Sequence, residues 1–92
     1  MPHFVATYAY TDDTAGRDAA RPSHREFLAS LEQLVLSGPT DANGAVLVFR
    51  AGSAAEVEEL LEQDPFVRAG FVAERTVVGW TVVSGRAKDR IA

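Results

Sequence analysis

The chain has 92 residues, 47% of them hydrophobic and 24% charged, with a formal net charge of −4 and no cysteine. A length like this makes one domain with a modest margin of stability. The acidic balance argues against the basic face that nucleic acid or an anionic membrane requires, and the missing thiols exclude disulfides, thiolate metal sites and a cysteine nucleophile.

Met1-Pro2-His3-Phe4 lacks the basic region and long apolar core of a secretory signal. No apolar run approaches the ~20 residues of a membrane helix. The expectation is a soluble, cytoplasmic protein without a membrane partner. His3 to Tyr10 reads as a strand, rich in β-branched and aromatic residues with rough alternation. Thr11 to Ala20 is polar and contains Gly16, so it reads as a loop. Pro22 suits the first turn of a helix, where a missing N–H costs nothing. Phe27, Leu28, Leu31, Leu34 and Val35 then recur at helical spacing. Ser37-Gly38-Pro39 stops that helix, and Leu36 to Thr40 has room for a short strand.

Asp41-Ala42-Asn43-Gly44 is a turn, with Asn-Gly its strongest signal. Ala45 to Ala51 is nearly all apolar, like a central strand, and Gly52 breaks it. Ser53-Ala54-Ala55-Glu56 is a capping box opening a second helix, with Val57, Leu60 and Leu61 as its buried stripe. Pro65 ends that helix, because the residue before a proline avoids helical backbone. Phe66 to Gly70 reads as one further turn. Phe71 to Val83 is a long strand interrupted near Gly79, and Ser84 to Ala92 reads as a flexible tail.

The order β-α-β-β-α-β defines an α+β, ferredoxin-like domain over residues 1–83: a four-stranded antiparallel sheet with two helices on one face. A sheet buried on one face alternates polar and apolar residues. Here both parities of the last strand are apolar: Phe71, Ala73, Val77 and Val83 on one, Val72, Val78, Trp80 and Val82 on the other. Ala45 to Ala51 is apolar on both faces too. The open face therefore needs a cover, most simply a second copy of the chain. Two sheets packed in this way make a homodimeric α/β barrel, with Trp80 in its interface.

Only His3 and His24 are histidines, so the menu for acid/base chemistry is short. His24 shares a helix face with Leu28, Leu31 and Val35, at offsets of 4, 7 and 11, and points toward the sheet. Near a helix N-terminus the macrodipole disfavours a protonated ring, and neutral imidazole is a competent base near pH 7. Asp64, in Gln63-Asp64-Pro65-Phe66 at the end of the second helix, could orient that ring and stabilise its imidazolium. Two readings stay open from the residues alone: a packed histidine with a turn aspartate, or a His–Asp dyad. Arg21 is a candidate for holding an anionic substrate, or a solvated surface residue. Tyr8 and Tyr10 share one parity of the first strand; core packing is the main reading, and reaching the pocket or the dimer face is the alternative. There is no P-loop, Rossmann glycine pattern, His-Glu-x-x-His or Gly-x-Ser-x-Gly. The expectation is no cofactor and no metal.

These pieces together resemble the YciI-like (YCII-related) family of the dimeric α/β-barrel superfamily. The resemblance rests on Arg21-Pro22-Ser23-His24, Ser37-Gly38-Pro39, the Ala45–Phe49 strand, and Asp64-Pro65-Phe66-Val67-Arg68-Ala69-Gly70 leading to Trp80. It covers roughly Phe4 to Val83. It implies an enzyme with a His–Asp pair in a small pocket, mapping onto His24 and Asp64. One branch of the family removes chloride from a chlorinated hydroxyhydroquinone, and muconolactone isomerase and heme-free monooxygenases are superfamily relatives. The short Gly38–Gly44 connection departs from longer members, so pocket walls built by that loop elsewhere differ here. The implied function is general acid/base chemistry (elimination, isomerisation or dehydrochlorination) on a small aromatic or lactone-like substrate. The alternative is a non-catalytic dimeric module that binds a small ligand or a protein.

Overall fold

Strand β1 (His3–Tyr10) lies between β3 (Gly44–Arg50) and β4 (Val72–Trp80), and β2 (Leu34–Thr40) closes the far edge beside β3. The structure is a computed structural model and describes residues 1–91. All three strand pairings are antiparallel, in the order β2-β3-β1-β4. Helices α1 (Thr14–Ala29), α2 (Ala54–Glu62) and the single turn α3 (Pro65–Arg68) complete the ferredoxin-like plan.

Register sorts the side chains. Phe4, Ala6 and Tyr8 stand opposite Phe49, Leu47 and Ala45, and all six are buried together with Val57 and Leu61 of α2. The other parity presents Val5, Val46, Val48, Leu36, Val78 and Trp80, linked by the pairings Val5↔Val48, Val5↔Val78 and Leu36↔Val48. In the single chain Leu36 is 53%, Val78 55% and Trp80 42% exposed. The apolar second face read from the last strand is therefore uncovered here.

The largest difference from expectation is the start of the first helix. Residues 14–20, expected as loop, are helical, and Pro22 lies inside α1 rather than in its first turn. Asp13 is the N-cap, its Oδ1 accepting from the Gly16 amide at 2.8 Å. Ala15, Ala19 and Ala20 are strong helix formers, and Pro22 lacks only the amide hydrogen bond to Asp18. Gly16 is required by packing: a Cβ there would stand 2.8 Å from the Phe71 ring. The far end differs too. The helix stops at Ala29, so Leu34 and Val35 open β2, where the Arg50 amide donates to the Gln33 carbonyl at 2.8 Å.

The second helix opens with the expected Ser53 cap, while the Glu56 side chain reaches one residue past the cap, to Gly52. Ser53 accepts from the Glu56 amide at 3.1 Å, and Glu56 Oε1 accepts from the Gly52 amide at 2.9 Å. Asn43 of the Asn-Gly turn has φ 55°, the left-handed backbone that asparagine tolerates. Strand β4 runs through Gly79 and ends at Trp80, short of Val83. The segment expected to be loose carries one helical turn, α4 (Lys88–Ile91), whose Ile91 carbonyl lies 2.8 Å from His3 Nε2. His3 anchors this turn.

Candidate active site

His24 and Asp64 meet. Nδ1 of His24 is 2.8 Å from Oδ1 of Asp64, across 40 residues of sequence. Two elements bring them together. Helix α1 turns His24 toward the sheet, where it is buried. The Asp64-Pro65 junction forces extended backbone at Asp64, with ψ 126°, and makes it the N-cap of α3. Its side chain thus points back over the first turn of α3 and under α1.

Asp64 is fully buried, and three donors reach its two oxygens. Oδ1 accepts from the Phe66 amide at 2.9 Å and faces His24; Oδ2 accepts from the Tyr8 hydroxyl at 2.8 Å. A carboxylate so surrounded is an acceptor only, so the facing Nδ1 carries the ring proton and Nε2 keeps the lone pair. Nε2 has no protein partner among the described residues. The Phe66 ring stacks on the imidazole with centroids 3.8 Å apart and planes within 6°, which holds the ring in one orientation.

His24 borders a cavity of about 210 Å³. Tyr8, Tyr10 and Phe66 supply aromatic wall, Leu28, Ala45 and Leu47 aliphatic wall, and Ser37-Gly38-Pro39 of β2 one side. Arg21 and Arg25 stand at the rim. Arg21 also pairs with Asp18 at 2.7 Å. The short β2–β3 connection leaves this side of the pocket to β2 itself.

Burial pushes the Tyr8 phenol far above its ordinary value, and the charge and hydrogen bond of Asp64 push the same way. Tyr10 is raised for the same leading reason, with Asp64 adding to it. Both phenols therefore stay protonated at neutral pH. The Arg17 guanidinium lies 4.3 Å from the centre of the Tyr10 ring, a cation–π contact that fixes this wall. Among the described residues no group of three or more His, Cys, Asp or Glu is placed to hold a metal, and no helix is long and apolar enough to cross a membrane.

One part of the sequence reading fails here. His24 lies ten residues beyond Thr14, not at the helix start, so the N-terminal dipole does not act on it. The Asp64 carboxylate and the Phe66 face set its surroundings instead. Four residues of the site escaped sequence reasoning. Tyr8 was read mainly as core, with the pocket as the lesser alternative and no contact with Asp64 foreseen, Phe66 as part of a turn, and Arg17 fell in a supposed loop. Arg25, four residues after Arg21, had a readable signal in its helical spacing.

The sheet order, the paired His24 and Asp64 and the cavity beside them define a ferredoxin-like domain with a hydrogen-bonded His–Asp pair beside a small pocket. The chain belongs to the YCII-related domain family, whose model matches residues 1–81. A protein of Emericella nidulans, derivative of benzaldehyde biosynthesis cluster protein C, is 34% identical over 89 aligned residues, covering 80% of this chain and 91% of the relative. Among solved structures, 5-chloro-2-hydroxyhydroquinone dehydrochlorinase (TftG) from Burkholderia phenoliruptrix AC1100, in complex with 2,5-dihydroxybenzoquinone, is similar with a TM-score of 0.78 and 26% identity. That match covers 86% of this chain and 93% of the dehydrochlorinase. A NIPSNAP domain protein from Burkholderia xenovorans shares the fold, with a TM-score of 0.59, 13% identity and coverage of 91% and 96%.

Proposed function

We propose that this protein is a small, cofactor-independent enzyme in which His24 is the general acid/base and Asp64 its orienting partner. The 2.8 Å contact between His24 Nδ1 and a buried, triply bonded Asp64 carries the reading, because it leaves Nε2 free beside a ring-sized cavity. Nε2 takes a proton from a hydroxyl or an acidic C–H of the substrate, and the imidazolium formed is stabilised by Asp64. In elimination from a hydroquinone, one hydroxyl proton is first transferred to the ring carbon that bears the leaving group; removal of a second hydroxyl proton then forms the quinone C=O as the leaving group departs with its bonding pair, a net loss of H⁺ and, where chlorine leaves, Cl⁻. In isomerisation, the same proton returns to another atom. Neither route calls on an oxidant or a metal.

The similarity to a dehydrochlorinase and to a protein of a benzaldehyde-derivative cluster supports a small aromatic substrate. Arg21 at the rim holds its anionic oxygen. The open sheet face takes a second copy of the chain, and the cysteine-free composition suits a reducing cytoplasm. The test is chloride release from 5-chloro-2-hydroxyhydroquinone, beside proton-transfer assays on related hydroquinones and lactones. Wild type turns over, and His24→Ala loses at least about a hundredfold, the usual worth of a positioned acid/base. Equal turnover by the variant ends the enzyme reading. Ligand binding without turnover by wild type leaves a non-catalytic binding module.

A further inference from the structure

The charge around the cavity is opposite in sign to the charge of the molecule. The chain carries 13 acidic residues against 9 basic ones. Yet no carboxylate borders the cavity, whereas Arg21 and Arg25 both do. Asp64 lies behind the imidazole, its oxygens taken by three donors. Arg21 and Arg25 are one helical turn apart on α1, so both guanidinium groups reach the same stretch of rim. Arg21 is held by Asp18 alone, an exposed pair worth little and readily exchanged. Arg25 makes no hydrogen bond or ion pair among the described residues.

The rest of the cavity fixes the body of the ligand. Its walls are the rings of Tyr8, Tyr10 and Phe66 with aliphatic neighbours. Its volume, about 210 Å³, exceeds the roughly 150 Å³ that accepts benzene. That is room for one substituted ring and not for two. A planar guanidinium presents two parallel N–H groups, which match the two oxygens of a carboxylate better than a single phenolate oxygen.

Resting on the acid/base reading of this same pocket, we infer that the natural substrate is a single-ring aromatic carboxylic acid. Its ring lies against Tyr10 and Phe66, and its carboxylate is held at the rim by Arg25 together with Arg21. His24 then works on a ring substituent on the inner side.

The test is binding, read by calorimetry or by NMR titration, of 2,5-dihydroxybenzoate and of the neutral 2,5-dihydroxybenzamide. The two probes share ring and hydroxyls and differ in charge. At neutral pH the acid binds at least about tenfold more tightly, the order expected of one charge-assisted pair. Arg25→Gln brings the acid down to the level of the amide and leaves the amide unchanged; Arg25→Lys keeps part of the preference. Raising the salt concentration weakens the acid alone. Equal affinity for acid and amide overturns the inference. So does an unchanged acid affinity in both Arg25→Gln and Arg21→Gln, or no saturable binding of the acid at millimolar concentration. His24→Ala separates this inference from the reading beneath it. Turnover that survives in that variant removes the acid/base assignment, while the preference for the acid over the amide is read in the same protein without any turnover.

Discussion

Tyr8 shows how one side chain can serve the core and the site together. Its ring packs against Ala45 in the sheet core, while its hydroxyl donates to Asp64 Oδ2 at 2.8 Å. Replacing it with Phe keeps the ring and removes one of three donors from a buried carboxylate. Tyr8→Phe therefore costs about 2 kcal/mol, the range for a hydrogen bond to a charged group, measured by urea denaturation. The phenol also makes stability depend on pH. Its folded value is raised above the ordinary 10.0, chiefly by burial, so below pH 10.0 both states hold the proton and the full stability is present. Above that pH the unfolded chain loses the proton first and stability falls. The decline of stability above pH 10 is thus steeper in wild type than in Tyr8→Phe, where only Tyr10 contributes in the same direction. Parallel curves for the two proteins would refute the assignment.

Helix α1 carries Arg17, Arg21, His24 and Arg25, so its placement decides the site. Its packing depends on Gly16, where a Cβ would come within 2.5 Å of Asp13 Oδ2 and 2.8 Å of Phe71. Alanine is the better helix former by roughly 1 kcal/mol, yet Gly16→Ala destabilises the fold by about 1–2 kcal/mol, because it disturbs the cap and crowds an aromatic ring. Gly38→Ala, with open space around the added methyl, is the control and is neutral or slightly stabilising; a Gly16→Ala protein as stable as that control would contradict the packing argument. This same helix was the least legible element. Asp12-Asp13, Gly16 and Pro22 are turn-type residues, and their local signals outweigh the alanines between them until Phe71 is seen to need the contact. At the other end, Leu34 and Val35 continue the helical period of Leu28 and Leu31, but the β-branched Val35 favours extended backbone and Leu34 pairs with Phe49 of β3, which draws both into a strand. Elements with caps or breakers of their own were readable: the Ser53 capping box, the Asn43-Gly44 turn and the Asp64-Pro65 junction. So was the inward turn of His24, since its helical offset from Leu28 survives the shift in helix start; that it meets Asp64 was an expectation from the family resemblance, not from spacing. The stacked Phe66 and the Tyr8 hydroxyl were not, because nothing in local spacing says which buried aromatic will touch a buried acid.

The sheet as a whole has one face spent on its helices and one left apolar. Leu36, Val46, Val78 and Trp80 are all at least one third exposed in the single chain, with Val5 and Val48 between them. A continuous patch of this kind, spread over all four strands, is the mark of an association surface. The proposed occupant is a second copy of the chain, which would bring its own identical patch to this one about a two-fold axis, the commonest way for copies of a chain to associate. The pocket lies on the other side: Tyr8, Ala45 and Leu47 border it with the opposite strand parity. Association and ligand binding should therefore come apart under mutation. Sedimentation at micromolar concentration finds wild type as a dimer and Trp80→Glu as a monomer, since a carboxylate buried at that position has no partner and costs several kcal/mol. The monomeric Trp80→Glu protein keeps the preference for 2,5-dihydroxybenzoate over its amide. A monomeric wild type, or a Trp80→Glu protein that stays dimeric, shows that this face is not where copies of the chain meet. Loss of ligand binding in a folded Trp80→Glu monomer shows instead that the pocket is completed across the interface.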